Sequence, residues 1–393
     1  MPNTMQPEHP GLLLLAAQCT VCLLFTGYSH GRDSFFEDRQ PEHQFQRAAF
    51  QSLLDAAVQD GLPGVSLRVA GAGIDFRGAA GVADLLTGEP FTPVHTMYMA
   101  SLGKTFTATV ALQLCEEGSL ELDASIDRWL PGDAAARIPS TDTITLRHLL
   151  SHTSGLIDYM NDQKAWRSEF ARNPRRRWSH SEVAAYIFHR PLLFEPGSDF
   201  DYSNSNYILA GMMIEQAAGR PLDQLIRERI IEPLGLEHSF AGGAAASAGN
   251  RVRGYAGRHG RTVDTYPWYS HYALADSGIY STPGDLARFM TALFRYDLLL
   301  KERTKRHMLT ASNAGYPPSD YGLGIYVQRN PWGAGRTWYA HDGIDPGYQA
   351  DMMYLPEVGL AIVLAANASM GKANLVYEGL IRDVVRAALD LIH

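Results

Sequence analysis

One serine and one lysine in this chain have the spacing that nucleophilic catalysis uses. Ser101 and Lys104 lie three residues apart at the start of a segment with helical apolar spacing, so their side chains share one helix face. A lysine with a lowered pKa could take the serine proton, and the N–H groups of a helix start favour the negative charge of acyl transfer. The pattern alone is weak evidence, because Ser369 and Lys372 repeat it between a strand and a helix.

Two further triplets follow the first serine at large separations. Tyr-Ser-Asn at 202–204 begins a predicted helix, and His-Asp-Gly at 341–343 ends a predicted strand. A tyrosine can shuttle protons, an asparagine can hold a lysine and a substrate carbonyl, and an edge strand can supply an N–H to an oxyanion. The pattern Tyr-x-Asn recurs as Tyr-Met-Asn at 159–161, and the pattern His-x-Gly recurs as His-Pro-Gly at 9–11. The order, the separations and the elements of the first set distinguish it from these copies.

Other common catalytic motifs are absent from the sequence beyond its N-terminal segment. Gly-x-Ser-x-Gly occurs only at 27–31, at the end of the N-terminal apolar stretch, and the sequence has no P-loop, no Gly-x-Gly-x-x-Gly that opens a helix after a strand, and no His-Glu-x-x-His. His148 and His152 have the i, i+4 spacing of metal ligands, but no third ligand of the usual kind lies nearby. We therefore expect two polar helix residues here, and neither a metal nor an organic cofactor.

Periodicity predicts the elements that must position these motifs. Apolar spacing indicates a helix over about 41–60, and alternation indicates a hairpin of strands at 65–70 and 74–84. A further helix starts with Ser101 as its cap and ends at Gly118. The later predicted elements are helices at 145–152, 181–189, 206–218, 222–230 and 285–294, strands at 321–328, 336–341, 348–356 and 360–367, and a long amphipathic helix at 374–392, with Leu375 and Leu380 among its apolar positions.

Short connections between the C-terminal strands indicate antiparallel pairing, and residues 125–260 are predicted to be mostly helical. We predict an α/β (α+β) fold in which helices flank an antiparallel sheet and a mostly helical domain is inserted. The α/β domain would comprise 40–124 and 262–393, and the inserted domain 125–261. A chain of 393 residues is long enough for such a two-domain arrangement.

Composition limits the class of protein. Hydrophobic residues make up 46% of the chain and charged residues 19%, which excludes disorder, coiled coils and collagen-like repeats. The formal net charge of -8 leaves no basic surface for phosphate, so we expect no nucleic-acid partner.

The N-terminal segment 1–31 is predicted to be an export signal. Residues 11–27 form an apolar stretch of suitable length, but no lysine or arginine precedes them. A wrongly assigned start and an uncleaved anchor are the competing interpretations, and membrane contact would come only from this segment if it is retained. Removal of the segment would take away Cys19 and Cys22 and leave Cys115 as a buried small hydrophobe with no disulfide. We expect a periplasmic or secreted protein.

In its three motifs the chain resembles the serine β-lactamase and penicillin-binding-protein superfamily. It is most similar to class C β-lactamases, D-alanyl-D-alanine carboxypeptidases, D-aminopeptidases and β-lactamase-like esterases. The stretches TLRHLLSHTSGL, FDYSNSNYILAGMMIEQAAG, IIEPLGLEHS and SGIYSTPGDLARFM also look like family segments. The resemblance runs from about residue 64 to the C-terminus and implies an active site in the cleft between the sheet domain and the helical insertion.

The resemblance also implies roles for individual residues. Ser101 would be the acylated nucleophile, Lys104 its proton partner, and Tyr202 the general base and acid. Asn204 would contact the substrate and Lys104.

The same resemblance assigns the strand beside the serine to substrate binding. His341 stands where many relatives have a lysine, Gly343 would let the strand approach the substrate, and the N–H groups of Ser101 and Ile344 would form the oxyanion hole. Asp342 departs from the peptidase pattern, since relatives that bind a free α-carboxylate often have a hydroxyl residue there. Either Asp342 points away from the cleft, or the substrate carries an amine or is neutral at that end.

Aromatic residues fall in segments that would edge this cleft and line an acyl pocket. Core packing is an equally good explanation for each of them singly. They are Tyr159, Trp268, Tyr269, Tyr272, Tyr321 and Trp332.

The predicted function is hydrolysis of an ester or amide through an acyl-enzyme on Ser101, as in β-lactamase-like esterases and peptidases. The alternatives are a D-alanyl-D-alanine carboxypeptidase or a class C type β-lactamase. The partner would be a small-molecule ester, a D-amino-acid peptide or a β-lactam. A catalytically silent member that binds peptidoglycan or another partner is the alternative from a different class.

Overall fold

The computed structural model describes residues 40–161, 164–242, 249–258, 261–311, 319–329, 335–369 and 371–392. The predicted export segment, with Cys19 and Cys22, lies outside these residues. The chain divides into one unit of Met1–Phe45 and another of Gln46–His393. Of the first unit, only the start of a helix is among the described residues. The architecture described below is that of the second unit.

The elements are named here in chain order. The strands are β1 Gly64–Gly71, β2 Ile74–Asp84, β3 Glu89–Pro90, β4 Met97–Tyr98, β5 Phe240–Ala241, β6 Tyr255–Arg258, β7 Arg261–Asp264, β8 Ile279–Ser281, β9 Ser319–Tyr321, β10 Tyr326–Arg329, β11 Thr337–Asp345, β12 Tyr348–Leu355, β13 Leu360–Ala366 and β14 Ala368–Ser369. The α-helices are α1 Gln40–Gln59, α2 Gly103–Glu116, α3 Ala134–Arg137, α4 Leu146–Leu150, α5 Lys164–Arg172, α6 His180–Ala184, α7 Asn204–Ala218, α8 Leu222–Ile226, α9 Glu232–Leu234, α10 Tyr266–Tyr269, α11 Pro283–Phe294, α12 Glu302–Met308 and α13 Lys372–Asp390. Three 3-10 turns cover Ala100–Leu102, Ile126–Arg128 and Ala185–Ile187, and a π-helical turn covers Arg227–Ile231.

The predicted antiparallel sheet is confirmed, and it combines strands from both ends of the chain. Its order is β3-β2-β1-β13-β12-β11-β10-β9. The N-terminal hairpin joins the C-terminal strands where β1 pairs with β13, from Val65 opposite Ala366 to Ala70 opposite Ala361. The strands β11, β12 and β13 pair antiparallel in succession.

Helices cover both faces of this sheet. Alternate residues of β13 enter two different cores, Val363 on one face and Leu364 on the other. Phe50 of α1 and Val385 of α13 share the second core with Leu364, whereas α2, α7 and α11 contribute to the first. Because both faces are covered, β13 is fully buried and has a continuous apolar sequence without alternation.

The segment 321–328, predicted as one strand, is two strands in the structure. The chain leaves the sheet after β9 and re-enters at β10, and between them Gly324 has a φ of +77°. The Gly324 N–H donates to the Leu150 carbonyl, and its own carbonyl accepts from the Thr105 hydroxyl at 2.7 Å. A Cβ at Gly324 would lie 2.5 Å from the Ala108 Cβ. Contact with α2, which alternation cannot encode, therefore interrupts the strand.

Two helix predictions are also corrected. Ser101 is not an N-cap: it is the middle residue of the 3-10 turn Ala100–Leu102, and α2 begins at Gly103. In the C-terminal helix, Leu380 is buried as expected, but Leu375 is 70% exposed.

The region 125–261 contains mostly helices, as predicted, together with short strands. The division into a sheet domain and a helical insertion stays a prediction. Cys115 is partly buried and packs against the core that contains α2, and burial raises the pKa of its thiol to about 12. Within the described part of the chain, we find no helix whose length and apolar character would suit a membrane span.

Candidate active site

The Ser101 turn has a strained backbone directly before the serine. Ala100 has a φ of +47° and is 1% exposed. A non-glycine residue in this region costs about 1–3 kcal/mol, and such residues cluster at functional sites. Met99 anchors the turn by donating its N–H to the Ile279 carbonyl at 3.0 Å. The N–H of Ser101 belongs to the first turn, where backbone donors have no intrahelical acceptor.

Lys104 is buried one turn beyond Ser101 and makes three hydrogen bonds through Nζ. It lies 3.0 Å from the Ser101 Oγ, 2.7 Å from the Asn204 Oδ1 and 3.0 Å from the Asp276 carbonyl oxygen. Burial lowers the pKa of Lys104, although Asp276 and other carboxylates oppose the shift. The predicted pairing of serine and lysine is present.

Asn204, at the start of α7, is oriented by an acid that the sequence analysis missed. Its Nδ2 donates to the Asp158 Oδ2 at 2.8 Å, so its Oδ1 faces Lys104. Asp158 is 3% exposed and also accepts the Met160 N–H. The sequence carried a signal for this residue, because a lone acid in the apolar run 155–160 must find donors if it is buried.

Tyr202 completes the group around the serine. Its hydroxyl hydrogen-bonds the Ser101 side chain, and its ring centre lies 5.1 Å from the Lys104 Nζ. Burial raises the pKa of Tyr202 well above its ordinary value, and Tyr326 adds to the effect. Tyr202 is therefore a protonated phenol at neutral pH.

The strand β11 passes close to the Ser101 turn at Gly343. A Cβ there would lie 2.5 Å from the Met99 carbonyl oxygen and 3.1 Å from the Ser101 nitrogen. The glycine is therefore required by the turn that carries the nucleophile. Pairing with β10 ends at Ala340, so the following part of β11 has a free edge. Ile344 lines the cleft on this part of the strand.

His341 does not line the cleft, contrary to the substrate-binding role implied by the resemblance. Its ring is 1% exposed, and its Nε2 lies 2.9 Å from the Tyr321 hydroxyl. Burial lowers the pKa of His341 to about 4, with Lys104 acting in the same direction and Asp342 opposing it. His341 is thus a neutral supporting residue on the face of β11 opposite to Asp342.

Tyr159 also lies behind the cleft wall and not on it. It is 1% exposed, and its hydroxyl donates to the Asp276 Oδ2 at 2.8 Å and lies 2.6 Å from the Tyr272 hydroxyl. Asp276 is fully buried, and burial raises its pKa. Asp276 was not predicted, although it is the sole acid in the apolar segment 272–281.

The cleft beside Ser101 has a volume of about 850 Å³. Three of its predicted aromatic residues, Trp268, Tyr269 and Tyr272, do line it. Tyr321 is fully buried behind it, and Trp332 lies outside the described residues. The remaining lining residues include Trp166, Phe170, Tyr202, Asn204, Tyr326 and Asn374.

Two acids on β11 face this cleft. Asp342 is exposed and is one of the residues that line it. Asp345 also lines the cleft and accepts the Tyr98 hydroxyl at 2.9 Å, and burial raises its pKa to about 7. Among the described lining residues the basic one is Arg167, whose guanidinium donates to the carbonyls of Met160 and Asn161.

The second serine-lysine pair does not form a nucleophile. The Ser369 Oγ donates to the Asp345 carbonyl at 2.6 Å and accepts the Gly347 N–H at 2.7 Å. Lys372 is exposed and lies toward Gly61. Ser369 therefore holds backbone in place, and tertiary structure separates the two patterns.

The histidine pair weighed as a metal site is divided between two environments. The His148 Nδ1 accepts the Thr145 N–H in the capping box of α4, whereas His152 is fully buried behind Tyr202. Among the described residues, no group of three or more His, Cys, Asp or Glu has a geometry suited to a metal.

Comparison with known proteins agrees with this geometry. The family model described as Beta-lactamase matches residues 47–385. Penicillin-binding protein 4* of Bacillus subtilis is 29% identical over 313 residues, which are 74% of this chain and 64% of that protein. The chain thus spans just under two thirds of that relative.

Solved structures show the same fold. The D-stereospecific amidohydrolase from Streptomyces sp. is 30% identical with a TM-score of 0.71, covering 82% of this chain and 94% of that one. The D-amino acid amidase from Ochrobactrum anthropi SV3, complexed with L-phenylalanine amide, is 26% identical with a TM-score of 0.75, covering 89% and 100%. On the family match over residues 47–385, this chain belongs to the Beta-lactamase family.

Proposed function

We propose that the protein hydrolyses a small amide or ester through an acyl-enzyme on Ser101. The observation that carries the proposal is the position of the Lys104 Nζ, 3.0 Å from the Ser101 Oγ in a buried site. A serine becomes a strong nucleophile only when a base removes its proton, and this contact is within the reach of proton transfer.

The partners of Lys104 determine where the lone pair of the neutral amine points. The Asn204 Oδ1 and the Asp276 carbonyl oxygen can only accept hydrogen bonds. A neutral amine therefore gives its two hydrogens to these acceptors and turns its lone pair to the Ser101 hydroxyl. Since burial lowers the pKa of Lys104 and raises that of Tyr202, Lys104 is the base that we propose, in place of the tyrosine that the resemblance suggested.

In the proposed reaction, the Ser101 Oγ attacks the substrate carbonyl carbon while its proton moves to the Lys104 Nζ. The N–H groups of Ser101 and Ile344 stabilise the oxyanion. The Tyr202 hydroxyl bonds the Ser101 side chain and so can pass a proton to the departing amine or alcohol, regaining one from Lys104. A water molecule then cleaves the acyl-enzyme by the same groups in reverse.

The charge of the cleft supports a substrate with a free amine. The exposed Asp342 lines the cleft, and the Arg167 guanidinium is bonded to backbone carbonyls. A free substrate carboxylate beside Asp342 would be repelled, whereas an ammonium group would be attracted. The aromatic wall would take an apolar side chain, and a structural relative was solved with L-phenylalanine amide. We therefore propose an amino-acid amide or ester, ahead of a carboxypeptidase or β-lactamase substrate.

Labelling with a fluorophosphonate tests the nucleophile. The wild type and Ser369→Ala should be labelled, and Ser101→Ala should not. Labelling that survives Ser101→Ala would refute the assignment of the nucleophile.

Turnover tests the substrate class. The two stereoisomers of phenylalanine amide, a p-nitrophenyl ester and nitrocefin should be compared with N-acetylphenylalanine amide. We expect kcat/KM to be higher for the free amine than for the N-acetyl compound. A folded protein that turns over none of these substrates would favour the catalytically silent alternative.

We also propose that the chain is exported. The support is the apolar stretch at 11–27. Expression of the full chain, followed by cell fractionation and mass measurement of the mature protein, tests the proposal. A full-length product in the cytoplasmic fraction would contradict it.

A further inference from the structure

His152 holds the chain on both sides of Tyr202. Its carbonyl oxygen accepts the Asp201 N–H at 3.1 Å, and its ring Nδ1 accepts the Ser203 N–H at 3.2 Å. The residues immediately before and after Tyr202 are thus bound to one histidine. These two bonds limit how far the Tyr202 backbone can shift toward or away from Ser101.

The ring of His152 also contacts the tyrosine ring itself. The ring centres of His152 and Tyr202 are 4.1 Å apart, with an angle of 31° between the planes. Tyr207 and Tyr321 contact other parts of the imidazole, at 5.3 and 4.8 Å. The tyrosine ring therefore has a close support on the histidine side.

The protonation state suits this role. The Nδ1 accepts hydrogen bonds from the Ser203 N–H and the Asn206 side chain, so the ring proton is on Nε2. Burial lowers the pKa of His152 well below its ordinary value, and Lys104 adds to the effect. A protonated ring would turn the Nδ1 acceptor into a donor facing two other donors.

Two features of His152 carry a cost that ordinary core packing does not explain. Its φ of +58° is uncommon for a residue other than glycine. Its Nε2 is buried without a hydrogen-bond partner among the described residues, although buried polar groups are normally paired. An apolar side chain would avoid the unpaired buried nitrogen but not the cost of the positive φ, and it could not accept the Ser203 N–H.

We propose that His152 is a positioning residue that sets the distance and orientation of the Tyr202 hydroxyl relative to Ser101. The inference rests on the proposed function, in which that hydroxyl moves a proton. His152 acts through Tyr202 and does not touch the substrate.

Two variants separate the hydrogen bond from the ring contact. His152→Phe keeps a ring beside Tyr202 and loses the acceptor for the Ser203 N–H. His152→Asn keeps an acceptor at the δ position and loses the ring, and asparagine tolerates a positive φ. His148→Asn, four residues earlier on the same segment, is the matched control because His148 caps α4.

The measurement is kcat per active site, with the sites titrated by fluorophosphonate so that unfolded protein is not counted. We expect His152→Phe to lower kcat about 100-fold, as small misplacements of catalytic groups do, with KM changed less than about threefold. His152→Asn should lower kcat about 10-fold and His148→Asn less than about twofold.

A double-mutant cycle with Tyr202→Phe then tests whether the effect passes through the tyrosine. Without the hydroxyl, both His152 variants should change kcat by less than about threefold. The inference would be overturned if the His152 substitutions lowered kcat by the same factor with and without the Tyr202 hydroxyl. A wild-type kcat in either His152 variant would also overturn it. If His152→Phe does not fold, the cycle with His152→Asn decides. A wild type that is neither labelled nor active would instead refute the proposed function.

Discussion

Replacement of Gly343 by alanine should separate the two halves of the oxyanion hole. The added Cβ would lie 2.5 Å from the Met99 carbonyl oxygen and 2.8 Å from the Leu102 Cδ1. Ordinary contact begins at 3.4 Å, so β11 would have to retreat from the Ser101 turn by about 0.9 Å. Because Met99 is itself hydrogen-bonded to Ile279, the retreat would fall mainly on the free edge of β11.

The magnitude follows from the geometry of hydrogen bonds. An oxyanion donor works at 2.7–3.1 Å, and the retreat would place the Ile344 nitrogen at roughly 3.6–4.0 Å, beyond a hydrogen bond. Loss of one such donor lowers kcat by about 10²–10³. The overpacked contact should also destabilise the fold by about 1–3 kcal/mol.

The assay is hydrolysis of a p-nitrophenyl ester, with active sites titrated by fluorophosphonate and stability measured by urea unfolding. The matched control is Gly379→Ala in α13, where a Cβ meets nothing within 4 Å, and which should stabilise the helix by about 0.5–1 kcal/mol. A folded Gly343→Ala variant with kcat within threefold of the wild type would refute the reasoning about this contact.

Three further predictions follow from the site and the sheet. Tyr202→Phe keeps the ring and removes the hydroxyl, so kcat should fall about 10²–10⁴-fold with an unchanged urea midpoint; an unaltered kcat would mean that Tyr202 moves no proton. Asp342→Asn removes a charge that raises the pKa of Lys104, so the pKa of Lys104 should fall. The acid limb of the pH profile of kcat/KM for an uncharged ester should then move to lower pH, and a move to higher pH would contradict this. Burial raises the pKa of Asp351 from 3.8 to about 7, so this group lowers stability as pH rises between those values, by up to about 4 kcal/mol. Asp351→Asn should therefore be more stable than the wild type in urea at pH 8, with the gain vanishing near pH 4; an equal gain at both pH values would show that ionisation is not the cause.

Local sequence pattern predicted the position of Asp342 but not the orientation of its side chain. The sequence showed that Asp342 stands beside the glycine of β11, and it left two orientations open. Which face of the strand Asp342 occupies depends on the register of β11 against β12, where it lies opposite Asp351. Register is set by burial across the whole sheet and not by the triplet itself.

Residues that only support the site were the hardest to predict. Asp158 accepts a hydrogen bond from Asn204, which is 46 positions away in the chain. Asp276 accepts one from Tyr159, which is 117 positions away. A single sequence gives no measure of such distant pairing. The prediction that His341 and Tyr159 line the cleft was wrong for a related reason. A motif identifies a position in the chain, whereas the packing around that position decides whether its side chain reaches the cleft.

Local pattern alone determined several long elements and the order of the motifs. Apolar spacing specified the N-terminal hairpin, α2 and strands β11 to β13, because helix and strand periods are properties of neighbouring residues. Only the tertiary structure decided between the two serine-lysine pairs. The Ser101 hydroxyl bonds Tyr202, and Lys104 links Ser101 to Asn204. The Ser369 hydroxyl is instead hydrogen-bonded to the backbone. The two pairs have the same spacing, and the difference lies in which distant groups burial brings to each hydroxyl.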